Sequence, residues 1–110
     1  MAQARDNTID PEIGQKVLEF GRILERDGIP VDKLLIFGSY AKHRNRKDSD
    51  IDVAVVSSAF GKDDIEEMQM LFKKRQHIDT RIEPHPLSSE EYQNGYSPIV
   101  EEIRRYGVEV

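Results

Sequence analysis

The sequence contains no cysteine, no tryptophan and no long hydrophobic run. Without cysteine the chain forms no disulfide and no thiolate metal site, which fits a cytoplasmic protein. No apolar stretch approaches the roughly 20 residues that a membrane-spanning helix needs. The N-terminal segment Met1–Arg5 is followed by no apolar core, so we expect no signal peptide.

The length of 110 residues predicts one domain, residues 1–110. Apolar residues make up 37% of the chain, enough for one ordinary hydrophobic core. The formal net charge is −5, and an acidic surface repels phosphate backbones. Nucleic acid is therefore not the expected partner.

Apolar spacing, caps and breakers predict alternating helices and strands. Five helices are predicted. The first begins at Asp10-Pro11 and ends before Gly28, and a short second one covers about 39–44. The third begins at Asp63, and the last two cover about 88–93 and 97–106. The predicted strands are 33–37, 51–56, 78–83 and an edge strand at 108–110. The helix from Asp63 is expected to bury Ile65, Met68, Leu71 and Phe72. This alternation indicates an α/β (α+β) domain with helices packed on a small mixed sheet.

A turn that follows the first predicted strand has the chemistry of a phosphate cradle. Gly38 allows a phosphate to approach the backbone closely, and the Ser39 hydroxyl can bond a phosphate oxygen. The next eight residues carry a local positive patch, made of Lys42, Arg44, Arg46 and Lys47. This segment is where a polyphosphate would be attracted.

Two aspartates, Asp50 and Asp52, stand two positions apart at the start of the second strand. Residues at this spacing point to the same face of a strand, while Ile51, Val53 and Val55 point to the other. Two adjacent carboxylates repel each other unless a proton or a cation bridges them. The pair suits Mg²⁺, which binds one or two carboxylates together with substrate phosphates.

Gly38-Ser39, ten intervening residues and Asp50-Ile51-Asp52 together resemble the motif of the DNA polymerase β nucleotidyltransferase superfamily. The short chain resembles the minimal nucleotidyltransferase (MNT) group in particular. The resemblance implies the nucleotidyltransferase fold and transfer of a nucleoside monophosphate, AMP from ATP, to a hydroxyl. It also implies that Asp50 and Asp52 bind Mg²⁺, and that Gly38, Ser39, Lys42 and Arg44 bind the nucleotide.

The resemblance requires a third catalytic and metal-binding carboxylate, for which the chain offers Asp79 and Glu83 on the same face of the predicted third strand. The run 78–84 resembles the third-aspartate strand of DNA polymerase β, which favours Asp79. One departure is His43, which stands where many family members carry glycine. His77 and His85 lack metal-ligand spacing to another histidine and are interpreted as incidental.

The acceptor is the least determined part of the function. Minimal members of the superfamily are often paired with a small helical HEPN-type toxin, whose tyrosine they adenylylate as antitoxins, and this is the leading hypothesis. The alternatives are a non-catalytic module that neutralises a partner by contact and a small-molecule (antibiotic-type) nucleotidyltransferase. The last of these would need a homo-oligomer to build the acceptor pocket.

Overall fold

The computed structural model of the chain describes residues 9–110. The segment Met1–Arg5, where we expect no signal peptide, lies outside them. The elements in chain order are α1 (Pro11–Arg26), β1 (Lys33–Phe37), β2 (Ile51–Val56), α2 (Asp64–Arg75), β3 (Ile82–Leu87), α3 (Ser89–Asn94), α4 (Pro98–Tyr106) and β4 (Val108–Glu109). The strand order in the sheet is β3-β2-β1-β4. β1 pairs antiparallel with β2 and β4, whereas β2 and β3 are parallel, so the predicted mixed α/β architecture is confirmed.

The sheet separates two apolar layers. Alternate residues of the strands point to opposite faces, as the period of an extended chain requires. One face belongs to a cluster that includes α1 residues together with Ile36, Val53 and Ile82. The other face belongs to a cluster that includes α4 residues together with Phe37 and Leu87. Asp52 shares the second face, because it lies between Ile51 and Val53 of the first.

α1 forms as predicted. The Asp10 carboxylate accepts a hydrogen bond from the Glu12 backbone amide at 2.9 Å, and Pro11 takes the first helical position. The helix buries a stripe of apolar residues at helical spacing, namely Ile13, Val17, Phe20 and Leu24. Burial of this stripe against the sheet stabilises the helix far more than its intrinsic propensity does.

α2 buries less of its apolar face than predicted. Asp63 caps the helix as expected, by accepting from the Glu66 amide. Only Leu71 is fully buried in α2, however, and Ile65 is 73% exposed, so the predicted four-residue buried stripe is wrong. α2 packs mainly against β3, which is an edge strand, and against α1. A helix at the edge of a sheet has a narrower covered face than one over its centre.

β3 begins at Ile82, four residues later than the predicted strand 78–83, and it continues through Pro84 and Pro86. The predicted strand stops before Pro84, because proline cannot donate a hydrogen bond to a neighbouring strand. The two prolines are tolerated because the backbone N–H and C=O groups that face β2 belong to the odd-numbered residues. Ile51 N–H donates to the Arg81 carbonyl, and Ser57 N–H donates to the Leu87 carbonyl. Pro84 and Pro86 therefore lie on the unpaired side, where no ladder amide is needed.

Residues 38–44 form hydrogen-bonded turns instead of the predicted short helix. Gly38 has φ +72° and His43 has φ +57°, and positive φ at both ends of so short a segment prevents a helix. The remaining predictions, for α3, α4 and the edge strand β4, are confirmed with small shifts of their ends. Within residues 9–110, none of the helices combines the length and apolar character needed to cross a membrane.

Candidate active site

The Gly38-Ser39 turn and the aspartate pair meet at one end of the sheet. Phe37, the last residue of β1, is the antiparallel partner of Asp52 in β2. Gly38 follows with φ +72°, and a Cβ atom at this position would collide with the Asp52 carboxylate. Glycine is therefore required at position 38 for two reasons, the positive φ of the backbone and the close approach of the Asp52 side chain.

Glu83 lies beside Asp52, because these two residues are paired in the parallel register of β3 and β2. Ligand atoms of Asp52, Glu83 and His85 all lie within 4.8 Å of one another, and all three side chains are half-buried. Asp50, which is exposed, directly precedes β2 and lies close enough to Glu83 for its charge to raise the pKa of Glu83, and for a protonated Glu83 to donate a hydrogen bond to it. Three carboxylates and an imidazole are thus collected beside the turn.

The electrostatics of this cluster are those of crowded acids. Burial raises the pKa of Glu83, and the nearby charges of Asp52 and Asp50 raise that pKa further, while His85 opposes the shift. The hydrogen bond with Asp50 also favours the protonated form of Glu83. A divalent cation would relieve this repulsion, and the oxygen donors present are those that Mg²⁺ prefers.

His85 was interpreted from the sequence as incidental, but the structure places it in the cluster. Its Nε2 lies 3.5 Å from Asp52 Oδ1, and its ring packs edge-on against Phe37 with the ring centroids 5.0 Å apart. The signal that could have found it is the spacing from Glu83, because residues two apart on a strand share a face. That signal required the correct end of β3, because the predicted strand stopped at Glu83.

Asp79, the residue favoured as third carboxylate, lies in the turn before β3 and binds cationic side chains. Arg81 Nη2 donates to Asp79 Oδ2 at 2.8 Å, and Lys16 Nζ of α1 donates to the same oxygen at 2.9 Å. These bonds, that of Arg81 above all, hold the pKa of Asp79 well below its usual range against the opposing effect of burial. Arg81 also donates to the Lys47 carbonyl and to the Tyr40 hydroxyl, so Asp79 anchors the segment between β1 and β2.

The predicted phosphate-binding residues surround the turn, but Lys42 is already engaged. Its Nζ lies 2.7 Å from Glu102 Oε1 of α4 and 4.9 Å from the centroid of the Tyr106 ring. Arg44 is exposed, and its backbone amide donates to the Ser39 carbonyl at 2.8 Å. The positive φ of His43 explains why a glycine would suit its position, and histidine tolerates this conformation better than most residues do.

The fold and the site together define a small α/β protein with a carboxylate cluster next to the Gly38-Ser39 turn. The chain belongs to the family described as "Polymerase beta, Nucleotidyltransferase", which matches residues 21–103. The predicted superfamily is thereby confirmed. A comparison with curated proteins finds no match.

The solved structures that resemble the chain include the following two. One is the crystal structure of a toxin–antitoxin with AMP-PNP, at 24% identity and TM-score 0.57, covering 91% of this chain and 72% of the other. The second is a proposed nucleotidyltransferase from Sulfolobus solfataricus, at 18% identity and TM-score 0.56, covering 91% and 86%. At these identities the likeness establishes the nucleotidyltransferase fold.

Proposed function

We propose that this protein is a Mg²⁺-dependent adenylyltransferase that moves AMP from ATP to a tyrosine hydroxyl of a small helical HEPN-type toxin, and thereby acts as an antitoxin in the cytoplasm. The observation that carries the transfer activity is the close approach of Gly38 to the Asp52 carboxylate, which itself lies beside Glu83. A turn that receives phosphates and a cluster that receives a divalent cation are the two halves of a nucleotidyltransferase site.

We assign the third carboxylate to Glu83 in place of Asp79. Glu83 is paired with Asp52 and lies near the charge of Asp50, whereas Asp79 is neutralised by Arg81 and Lys16. Asp50, Asp52 and Glu83 would hold the cation. When bound, Mg²⁺ supplies charge neutralisation at the phosphates and polarisation of the attacking hydroxyl.

The chain's own groups around the turn bind and orient the triphosphate. The backbone amides of the Gly38-Ser39 turn and the Ser39 hydroxyl donate to phosphate oxygens. Lys42 and Arg44 add positive charge, and Lys42 must exchange its bond to Glu102 for a phosphate. Pyrophosphate then leaves as the acceptor oxygen bonds to the α-phosphorus.

The proposed acceptor rests on the likeness to the toxin–antitoxin with AMP-PNP and on the family resemblance. A tyrosine hydroxyl is a suitable acceptor because it becomes nucleophilic when a nearby carboxylate takes its proton. Asp50 is the exposed carboxylate of the cluster and is therefore the one open to an incoming protein side chain.

The test is incubation of the protein with ATP, Mg²⁺ and the product of the adjacent gene, followed by intact-mass spectrometry. We expect that product to be a helical protein and to gain the mass of one AMP, a gain abolished by Asp52→Asn and by Glu83→Gln. Asp79→Asn serves as the matched control and retains transfer, because its carboxylate contacts cationic side chains instead of the cluster.

Other outcomes contradict particular parts of the proposal. Loss of transfer in Asp79→Asn together with full activity of Glu83→Gln would return the third carboxylate to Asp79. A tight complex with no modification would indicate the non-catalytic module. Modification of an aminoglycoside in place of the protein would indicate a small-molecule nucleotidyltransferase.

A further inference from the structure

His85 occupies a position in the carboxylate cluster that the proposed transfer reaction leaves without a role. It lies two residues after Glu83 on β3 and points to the same face, towards Asp52. Because β2 and β3 are parallel, Asp52 pairs with Glu83, and His85 is opposite Ala54, whose small side chain leaves room beside the cluster. The backbone geometry thus aims an imidazole at two carboxylates.

The Nε2 atom of His85 is buried and makes no hydrogen bond to any residue of the described chain. Its distance of 3.5 Å from Asp52 Oδ1 is beyond the usual range of an N–H···O hydrogen bond. A buried nitrogen of this kind loses its bonds to water without gaining others. A metal ion between Nε2 and the two carboxylates would satisfy it.

The ring of His85 is held in place. It packs edge-on against Phe37, and its flanking residues Pro84 and Pro86 restrict the backbone of β3. A donor that is already oriented loses little conformational entropy when it binds a ligand. The imidazole is therefore preorganised for coordination.

We propose that His85 supplies a nitrogen ligand to the metal held by Asp52 and Glu83, and that this ligand makes the site prefer a first-row transition-metal ion such as Mn²⁺ over Mg²⁺. The inference rests on the proposed function, since it concerns the cation of the same site. Mg²⁺ is a hard ion that selects oxygen ligands, whereas imidazole favours first-row transition-metal ions, among which Mn²⁺ also suits the carboxylate oxygens present here. One nitrogen among carboxylate oxygens shifts the preference towards Mn²⁺.

The direct test is electron spin echo envelope modulation of Mn²⁺ bound to the full-length protein. We expect ¹⁴N modulation from a coordinated imidazole in the wild type and its loss in His85→Asn. His77→Asn is the matched control, because His77 is exposed and lies just after α2, outside the cluster. Modulation unchanged in His85→Asn, or absent from the wild type with Mn²⁺ bound, would overturn the proposal.

Titration calorimetry with MnCl₂ and MgCl₂ gives a second readout. We expect His85→Asn to weaken Mn²⁺ binding about tenfold or more, because even loss of a group that only hydrogen-bonds to a metal ligand costs about tenfold in metal affinity. Mg²⁺ binding should change much less. Equal losses for both ions would make His85 a residue that positions Asp52 and would contradict the nitrogen ligand.

The two proposals fail in distinguishable ways. If Asp52→Asn removes binding of both ions but no nitrogen signal exists, only the role of His85 is wrong. If neither ion binds to the wild type, alone or with ATP, then the nucleotidyltransferase site and the role of His85 are both wrong. Circular dichroism of each variant establishes that it is folded.

Discussion

At the scale of single residues, the Asp79 carboxylate has a structural role, unlike the carboxylates of the candidate active site. Its side chain is 10% exposed and bonded to Arg81 and Lys16. Asp79 Oδ1 also accepts a hydrogen bond from the Arg81 backbone amide at 2.8 Å, which forms an Asx turn just before β3. Asp79 therefore fixes both the start of the strand and its position against α1.

This arrangement predicts a pH-dependent stability. The pKa of Asp79 is lowered in the folded state, so its contribution is fully present above about pH 5 and is lost as the pH falls through 4 and below. Asp79→Asn should lower the free energy of unfolding at pH 7 by roughly 1–3 kcal/mol, the range for hydrogen bonds to charged groups. The deficit should shrink steadily as the pH falls.

Urea unfolding followed by circular dichroism at pH 7, 5, 4 and 3 measures this effect. Asp48→Asn is the control, because Asp48 is an exposed residue of the loop before β2. A deficit of Asp79→Asn that stays constant over this range would show that the ionised carboxylate contributes nothing beyond its shape.

The candidate site could be predicted from the sequence only in part. Gly38 and Asp52 follow from the motif, and the structure brings them into contact. The choice between Asp79 and Glu83 depended on where β3 begins, because both residues share a face in any strand that contains them. The alternation of residue types leaves that start undefined, and the Asx turn at Asp79 fixes it.

At the scale of secondary-structure elements, α1 contains two interior glycines in different surroundings. A Cβ atom at Gly14 would meet nothing within 4 Å, whereas one at Gly21 would lie 2.5 Å from Leu34 Cδ1 of β1. Close packing of α1 on the sheet thus depends on Gly21 and not on Gly14.

We expect Gly14→Ala to raise the free energy of unfolding by about 0.5–1 kcal/mol, the usual gain for alanine over glycine inside a helix. Gly21→Ala should gain less or lose stability, since the Leu34 methyl group must move. Urea unfolding of the two variants side by side provides the comparison. An equal gain at both positions would mean that the contact with Leu34 is easily relieved.

The elements that sequence patterns described best are those with long apolar stripes, α1, β1 and β2. Prediction failed where local conformation or proline placement decided the outcome. Positive φ at His43 is not visible in its residue type, so the turn 38–44 resembled a helix. Prolines normally end a strand, and only the pairing of β3 on one side explains why Pro84 and Pro86 continue it.

At the scale of the whole molecule, the candidate site lies on the same face of the sheet as α3 and α4. The bond between Lys42 and Glu102 connects the segment that follows the Gly38-Ser39 turn directly to α4. This pair is partly exposed, at 31% and 36% of the two side chains, so it adds at most about 1 kcal/mol to stability. It competes, however, with the proposed binding of Lys42 to a triphosphate.

Glu102→Gln should therefore tighten ATP binding by up to about fivefold, the equivalent of a surface ion pair, and change stability little. Titration calorimetry with ATP and Mg²⁺ measures this effect. Glu101→Gln removes an equal charge from an exposed position on the same helix and is the control. A similar gain in both variants would assign the effect to net charge alone.

The two prolines of β3 also affect whether another polypeptide can add a strand to the edge of the sheet. Along the outer border of the sheet, Pro84 and Pro86 present no amide hydrogen, and the Ile82 carbonyl is occupied by Arg75 Nη1 at 2.7 Å. A strand from another polypeptide would find no amide donor at Pro84 or Pro86, although exposed edge strands usually favour such addition. The proposed protein acceptor would therefore reach Glu83 and His85 by its side chains, without extending the sheet from one molecule to the next.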